Sequence, residues 1–313
     1  MKTTMKTILL LALLAALMGC VPSAGNEVNG KIVFQSDREG NYELYVMNPD
    51  GTDIRNLTSH PASDTAPVPS PDGRRIAFQS NRDGNNDIYI LDLESGAQTN
   101  LTKNAANDLS PTWSPDGSSI AFVSDRDAIL LDEARGLWTN DIYIMEADGS
   151  DPRRLTADNL TNGYGGLAWS PDGGSIALCQ SSFTAYGAYF PLGIHLMNLS
   201  DLTLTRLTFD SATIQCDPKW SPDGNQILYV VSGSGFSNLY LMNAGGTDQV
   251  KLSADPSAYD TSPSWSLDGK SILFSSNRGD GYHIYKMNAD GAHPIQLTDG
   301  PGEETFPAWL PGP

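Results

Sequence analysis

Residues that commonly build reactive centres are scarce in this sequence. Its 313 residues include three cysteines and four histidines, and the histidines show no metal-ligand spacing. A zinc cluster is therefore nearly excluded, because such sites need several closely spaced Cys and His ligands. The sequence also contains no G-x-S-x-G motif, the turn that presents the nucleophile of α/β-hydrolases. These shortages indicate a protein that is not an enzyme.

Positive charge is also scarce. Lys and Arg number 19 against 37 Asp and Glu, which gives a net charge of −18. A surface that follows phosphates needs the opposite sign, so no nucleic-acid partner is expected. Charged residues make up 18% of the chain and apolar residues 39%. This composition excludes a disordered polyelectrolyte and allows a sizeable core.

The apolar run Ile8 to Met18 is too short to span a membrane. It follows Lys2 and Lys6, has the length of a signal-peptide core, and ends at Gly19-Cys20. The sequence Leu-Met-Gly-Cys resembles the bacterial lipobox, in which the signal is cut before the cysteine and the thiol is lipid-modified. We therefore expect a signal peptide over residues 1–19, then lipidated Cys20 and a tether over residues 20–29. An ordinary secretory signal with an incidental cysteine is the alternative.

The lipobox resemblance also implies where the protein resides. More than one acyl chain is expected on such a cysteine, and several chains give stable anchoring. We expect an exported protein attached to the bacterial cell envelope through its lipid alone. It would lie on the periplasmic face of the outer membrane or at the cell surface.

The rest of the chain repeats one unit. Trp-Ser-Pro-Asp-Gly begins at Trp113, Trp169 and Trp220, variants begin at Pro69 and Trp265, and a degenerate copy begins at Trp309. The copies are spaced 44 to 56 residues apart. Periods in the forties are typical of a β-propeller with four strands per blade.

Each unit predicts four strands, which we call A to D. Strand A ends at the Trp, strand B is apolar (as in Ile120-Ala-Phe122), strand C alternates, and strand D ends in Leu-Thr. The first unit begins at a strand B near residue 30, and the chain stops at a strand A. The two fragments add to one blade. The sequence therefore predicts an all-β, six-bladed propeller over residues 30–313, with the C-terminal strand joining the N-terminal blade and closing the ring.

The repeat D-x-x-P-x-W-S-P-D-G-x-x-I-A-F, followed by D-I-Y and M-N-x-D-G, resembles the TolB-like, WD-repeat-like propeller family. The likeness covers nearly all residues after the tether. We expect a stand-alone propeller without the additional N-terminal domain of TolB. The resemblance implies a setting in envelope assembly, although a shared fold alone is weak ground for a function.

Acidic residues and arginines recur together in four of the units. An acid opens strand A, and an arginine follows strand B on the same face of an antiparallel blade, so the two can meet. Two interpretations stay open: an arc of acids at the channel mouth that binds a cation or basic ligand, or a structural ion pair that fixes the B–C turn. Four blades have both the acid and the arginine and two blades have neither, which favours the structural pair. The pairs are Glu304 with Arg38, Asp64 with Arg82, Asp108 with Arg126, and Asp260 with Arg278.

The repeat breaks mainly in blades three and four. Long connections between strands B and C, at residues 127–140 and 181–193, and the D–A connection at residues 157–166 share one face and carry aromatic residues. Loops on a rigid scaffold are the usual place for recognition. We expect these aromatics to form a partner site or, equally, to pack only their own loops. They are Trp138, Tyr164, Phe183, Tyr186, Tyr189 and Phe190.

Two smaller features have competing explanations. The segments 48–53 and 148–151 look like fragments of calcium loops, but Asp-Gly hairpin turns explain them better. No cofactor is therefore expected, with Ca²⁺ as the alternative. Cys179 and Cys216 fall in neighbouring blades, and an exported protein permits a disulfide. We expect two buried free thiols, with the disulfide as the alternative.

These features are compatible with three functions. The first is a monomeric, non-catalytic envelope lipoprotein that binds a protein or peptide partner through one loop-rich face. The second is a surface lipoprotein that binds a glycan through the aromatic loops. The third is a propeller hydrolase or lyase that uses the acids at the channel mouth.

Overall fold

The computed structural model describes residues 30–128, 130–132, 137–156, 161–183, 189–253 and 255–312. Residues 130–132, 137–138, 161–165, 181–183 and 189–192 are described by their backbone alone. Across the described residues, no helix has the length and apolar character needed to cross a membrane.

Six four-stranded antiparallel sheets, the blades, make up most of this part of the chain. In the order A to D, blade 1 consists of β26 (Glu304–Leu310), β1 (Lys31–Ser36), β2 (Glu43–Met47) and β3 (Arg55–Asn56), and blade 2 consists of β4 (Asp64–Pro69), β5 (Arg75–Ser80), β6 (Asp87–Asp92) and β7 (Gln98–Asn100). Blade 3 consists of β8 (Asp108–Trp113), β9 (Ser119–Ser124), β12 (Asp141–Glu146) and β13 (Arg153–Arg154), and blade 4 of β14 (Thr161–Trp169), β15 (Ser175–Phe183), β16 (Tyr189–Asn198) and β17 (Leu204–Arg206). Blade 5 consists of β18 (Ile214–Trp220), β19 (Gln226–Gly233), β20 (Phe236–Asn243) and β21 (Val250–Lys251), and blade 6 of β22 (Asp260–Trp265), β23 (Ser271–Ser276), β24 (His283–Asn288) and β25 (Ile295–Gln296). A separate hairpin, β10 (Leu130–Asp132) and β11 (Leu137–Trp138), lies between strands B and C of blade 3.

The last strand closes the ring. Strand β26 pairs antiparallel with β1, with Leu310 opposite Lys31 and Glu304 opposite Ser36. Blade 1 thus takes its innermost strand from the far end of the chain, which leaves no open edge on β1. The predicted six-bladed propeller and its closure by the C-terminal strand are confirmed.

The core lies between the blades. Strand B is a continuous apolar run because both of its faces pack on neighbours, and Ile32, Phe34 and Phe122 are fully buried. Six apolar clusters fill the six seams, each built from two adjacent blades. The cluster between blades 6 and 1 includes Ile284 and Met47, so the closing seam is packed like the others.

The Ser-x-Asp-Gly turns between strands A and B are fixed by their own side chains. In blade 3, Ser114 donates its hydroxyl to Asp116 at 2.6 Å and accepts the backbone N–H of Ser119 at 2.9 Å. Gly117 has φ +71°, the left-handed conformation that glycine adopts without strain. Equivalent serine–aspartate bonds of 2.6 to 2.7 Å occur in blades 2, 4, 5 and 6.

Candidate functional site

Four blades carry an ion pair at the start of strand A and the end of strand B. Arg82 lies 2.8 Å from Asp64, Arg126 lies 3.0 Å from Asp108, and Arg278 lies 2.8 Å from Asp260. In blade 1, Arg38 contacts Glu304. The four carboxylates are completely buried, so the structure brings together each acid and arginine that the sequence places in one blade.

Each arginine is held by more than its carboxylate. In blade 3, Nε of Arg126 donates to the Ser124 hydroxyl at 2.9 Å, and its guanidinium lies 4.5 Å from the centre of the Tyr143 ring. Blades 1, 2 and 6 repeat both contacts. A buried carboxylate that already binds a fixed guanidinium has little capacity for a further cation. This arrangement supports the structural interpretation of the pairs.

Glu304 differs from the other three acids because its second partner is a histidine. Nδ1 of His283, at the start of strand C in blade 6, lies 3.0 Å from Glu304 Oε2. Both residues are buried. The carboxylate therefore links the first and last blades at the closing seam.

Blades 4 and 5 use a different chemistry at this end. Opposite the end of strand B, where the other blades have an acid, strand A carries Asn162 in blade 4 and Gln215 in blade 5. Tyr164, which the sequence spacing puts at this position, is displaced by the longer bulge of β14. A disulfide joins Cys179 in strand B of blade 4 to Cys216 in strand A of blade 5. The expectation of two free thiols is wrong, because the packing of adjacent blades brings the two Cα atoms to 4.9 Å, within the range of a disulfide.

The disulfide occupies a position that two other seams, between blades 1 and 2 and between blades 2 and 3, fill with a hydrogen bond. Gln35 and Gln79 follow the buried aromatic of strand B in blades 1 and 2, as Cys179 follows Leu178 in blade 4. The Gln35 side-chain oxygen accepts from the Ala66 N–H of the next blade at 2.7 Å, and Gln79 accepts from Ser110 at 3.0 Å. A covalent bond thus replaces a polar contact across the seam between blades 4 and 5.

The acids, Cys216 and the B–C and D–A connections all lie at one end of the blades, which we call the upper face. Part of the segment expected there as a loop is strand instead. Strands β15 and β16 continue past the ends of the usual blade, and Phe183 is paired with Tyr189. Trp138 lies in β11 opposite Leu130, Tyr164 lies in β14 and Phe190 in β16. Tyr186, like Cys20, lies outside the described residues.

Two apolar side chains on the upper face were missed by sequence reasoning. Phe209 is 71% exposed and Ile214 is 37% exposed, and both lie in or beside the connection from blade 4 to blade 5. A signal for Phe209 is present in the sequence. It follows the Leu-Thr pair (Leu-Ser in blade 5) just after strand D, where the other blades have small or polar residues: Ser59, Lys103, Ala157, Ala254 and Asp299.

A channel of about 790 Å³ runs through the centre and is lined mainly by the A strands. Each A strand has one residue with a positive φ, at a bulge where pairing with strand B shifts. Five of the six are not glycine, and the residue after each of those five is proline: Ala66, Ser110, Asp217, Ser262 and Phe306, with Gly166 in blade 4. This position needs the left-handed conformation in every blade, so its recurrence is imposed by the fold.

The turn aspartates that resemble calcium ligands have local partners. Asp50 accepts the Thr52 hydroxyl at 2.6 Å, and Asp148 accepts the Ser150 hydroxyl at 2.6 Å. These bonds lower the pKa of both carboxyls. Among the described residues, no group of three or more His, Cys, Asp or Glu side chains is arranged to hold a metal ion.

His195, on strand C of blade 4, is a buried residue that packs within the blade. His195 is 8% exposed, and its Nδ1 lies 3.2 Å from the Gly193 carbonyl. Burial lowers the pKa of the His195 imidazole, which favours the neutral form. It replaces the tyrosine found at this position in other blades.

These features define a six-bladed propeller that is closed by its C-terminal strand. A model of the TolB beta propeller domain matches residues 66–187 and 193–312. The chain therefore belongs to the TolB beta propeller family. No curated protein matches the sequence at a significant level.

Solved structures share this fold at low sequence identity. TolB from Acinetobacter baumannii is 24% identical with a TM-score of 0.74, and the match covers 90% of this chain and 67% of that one. A putative TolB from Agrobacterium tumefaciens is 20% identical with a TM-score of 0.66, covering 91% and 99%. An oligogalacturonate lyase from Vibrio parahaemolyticus is 15% identical with a TM-score of 0.55, covering 86% and 73%. At these identities the likeness shows the fold alone.

Proposed function

We propose that this chain is a non-catalytic envelope lipoprotein that binds a protein or peptide partner through its upper face. The observation that carries the proposal is the exposed pair Phe209 and Ile214. They lie between blades 4 and 5, beside the extended hairpin of β15 and β16. Exposed apolar residues on a rigid scaffold are a common mark of a protein interaction site.

The chemistry of the surrounding blades supports the same region. In blades 1, 2, 3 and 6, each buried acid already binds an arginine and is therefore not free to bind a partner. Blades 4 and 5 lack these pairs and are held by the disulfide instead. A covalent link keeps the two blades in register without a buried ion pair.

Phe209 has a feature that suits a binding residue. Its ring is stacked by the Arg206 guanidinium at 5.1 Å, which limits the freedom of an otherwise exposed side chain. A contact residue that is already ordered loses less entropy when a partner binds. Aromatic residues and arginine are also enriched where interfaces gain most of their energy.

The test is site-specific photo-crosslinking of the full-length chain in its native host. A benzophenone amino acid at position 209 should form a discrete adduct with one protein. The matched control is the same label at Ile295, which is 51% exposed on the outermost strand of blade 6. The same set of adducts from both positions, or no protein adduct from position 209, would overturn the proposal.

The alternative partner is a glycan, which aromatic residues on the same surface would also suit. A glycan array probed with the wild-type chain and with Phe209→Ser separates the two cases. Glycan binding that depends on Phe209, without a protein adduct, would favour the carbohydrate hypothesis. The lipid anchor is tested separately by incorporation of a labelled fatty acid, which Cys20→Ser should abolish.

A further inference from the structure

The channel wall is nearly free of charge, with one exception in blade 5. Of the described residues that line the channel, Asp217 and Lys219 alone are charged. The Lys219 Nζ lies 2.7 Å from Asp217 Oδ1, and the two side chains are 32% and 15% exposed. The other blades have small or apolar residues at both positions. The pair is therefore specific to blade 5 and is not required by the repeat.

Space has been left beside this pair. The residue of blade 4 that corresponds to Asp217 is Gly166, the glycine among the six bulge positions. A Cβ atom at Gly166 would lie 3.4 Å from Asp217 Oδ1 and 3.6 Å from Lys219 Nζ. Every other blade has a side chain at this place. The absence of one here opens the ion pair to the channel.

The neighbouring wall is aromatic and fixed. Trp169, Trp220 and Trp265 line the channel in three consecutive blades. The indole N–H of Trp220 donates to the Ala168 carbonyl at 3.2 Å, and that of Trp265 donates to the Lys219 carbonyl at 3.3 Å. Apolar walls with a few converging polar groups, within a volume of this size, are typical of small-molecule sites.

We propose that the channel binds a small zwitterion of the α-amino-acid type with a large apolar side chain. A ligand with a carboxylate alone would face Asp217, and one with an ammonium alone would face Lys219. A molecule that carries both charges on one carbon complements the pair, with its carboxylate on Lys219 and its ammonium on Asp217. Its side chain lies against the tryptophans. The site is in the channel and does not depend on the partner surface proposed above.

The probe is L-tryptophan, compared by calorimetric titration of the full chain with N-acetyl-L-tryptophan, L-tryptophan amide and indole. Each of the last three lacks one or both charges. We expect saturable binding of L-tryptophan and at least about tenfold weaker binding of the other three, the factor expected when a charge contact worth about 1.4 kcal/mol is lost. Equal affinities for all four, or no binding of L-tryptophan at millimolar concentration, would overturn the proposal.

A double substitution makes the test specific to the pair. Asp217→Ser with Lys219→Thr installs the residues that blade 3 carries at the same positions, Ser110 and Thr112, so the blade should fold. This variant should lose at least about tenfold in affinity for L-tryptophan. Lys270→Met is the matched control, since Lys270 pairs with Asp268 at 3.6 Å outside the channel. Unchanged binding by the double variant would contradict the assignment.

Discussion

Blades 2 and 3 and blades 4 and 5 solve the same assembly problem with different bonds. In the first pair, a buried acid binds an arginine in each blade, and Gln79 accepts a backbone hydrogen bond across the seam. In the second pair, both acids and both arginines are gone and Cys179 is bonded to Cys216. The four-stranded antiparallel blade is common to both regions. The difference shows that two adjacent blades can be joined at this end either by a hydrogen bond or by a disulfide.

The largest expected effect comes from breaking one ion pair on one side only. Asp108→Ala leaves the Arg126 guanidinium in a largely buried place without its carboxylate. Removing one partner of a buried pair costs about 3–5 kcal/mol, because the remaining charge is uncompensated. The measurement is the free energy of unfolding in urea.

The control for this prediction is the double variant Asp108→Ala with Arg126→Ala. It removes both charges, as blades 4 and 5 do naturally, and should cost less than the sum of the two single substitutions. A loss below about 0.5 kcal/mol for Asp108→Ala, the usual size for a surface substitution, would contradict a structural role.

The second prediction concerns the covalent seam. Cys179→Ala with Cys216→Ala removes the disulfide and should cost about 2–4 kcal/mol of unfolding free energy. Cys179→Gln with Cys216→Thr removes it too, but supplies the glutamine and threonine that blades 1 and 2 place at this seam. If a glutamine hydrogen bond can replace the disulfide, the glutamine–threonine variant should be more stable in urea than the double alanine variant. Equal losses would show that the glutamine contact cannot be transferred to this seam.

The repeat made the architecture readable from the sequence. Trp-Ser-Pro-Asp-Gly fixes a turn through residues such as Ser114 and Asp116, and these local bonds form wherever the motif occurs. The ends of the chain then determine how the ring closes. The disulfide could not be predicted from the sequence, because it depends on how closely two blades bring the Cα atoms of Cys179 and Cys216, which lie 4.9 Å apart. The extension of β15 and β16 could not be predicted for a similar reason, since pairing between those segments decides whether they form strand or loop.

The candidate site was readable only in part. The acid–arginine partners could be assigned because each blade repeats the same two positions. Phe209 was visible as a departure from the residues that follow Leu-Thr elsewhere, but its exposure was not. The Asp217–Lys219 pair could not be placed, because only the bulge geometry shows that both face the channel.

The third prediction sharpens the comparison at the seam between blades 1 and 2. Gln35→Val installs the kind of residue that blade 3 has at this position, Val123, and leaves the Ala66 N–H without its acceptor. Because Ala66 is half-buried, we expect the lost hydrogen bond to cost about 0.5–1.5 kcal/mol, of which the added apolar contact offsets a part. Hydrogen exchange should become faster at the Ala66 amide. The Ser110 amide, which Gln79 still serves, is the internal control, and equal changes at both amides would contradict the local explanation.

The smallest expected effect is common to both regions, because their A–B turns share the serine–aspartate bond. The hydroxyls of Ser114 and Ser118 and the Ser118 N–H lower the pKa of Asp116 to about 2. Since the folded-state pKa lies below the unfolded one, the stabilisation is present above about pH 4 and is lost as the pH falls toward 2. The urea midpoint should therefore decrease on acidification in this range. Asp116→Asn removes one titrating group and should lose less on acidification than the wild type does. An identical pH dependence for the two proteins would show that the Asp116 turn does not contribute to the loss of stability in acid. The same comparison at Asp223 of blade 5 shows whether the turns of the disulfide-linked blades behave differently.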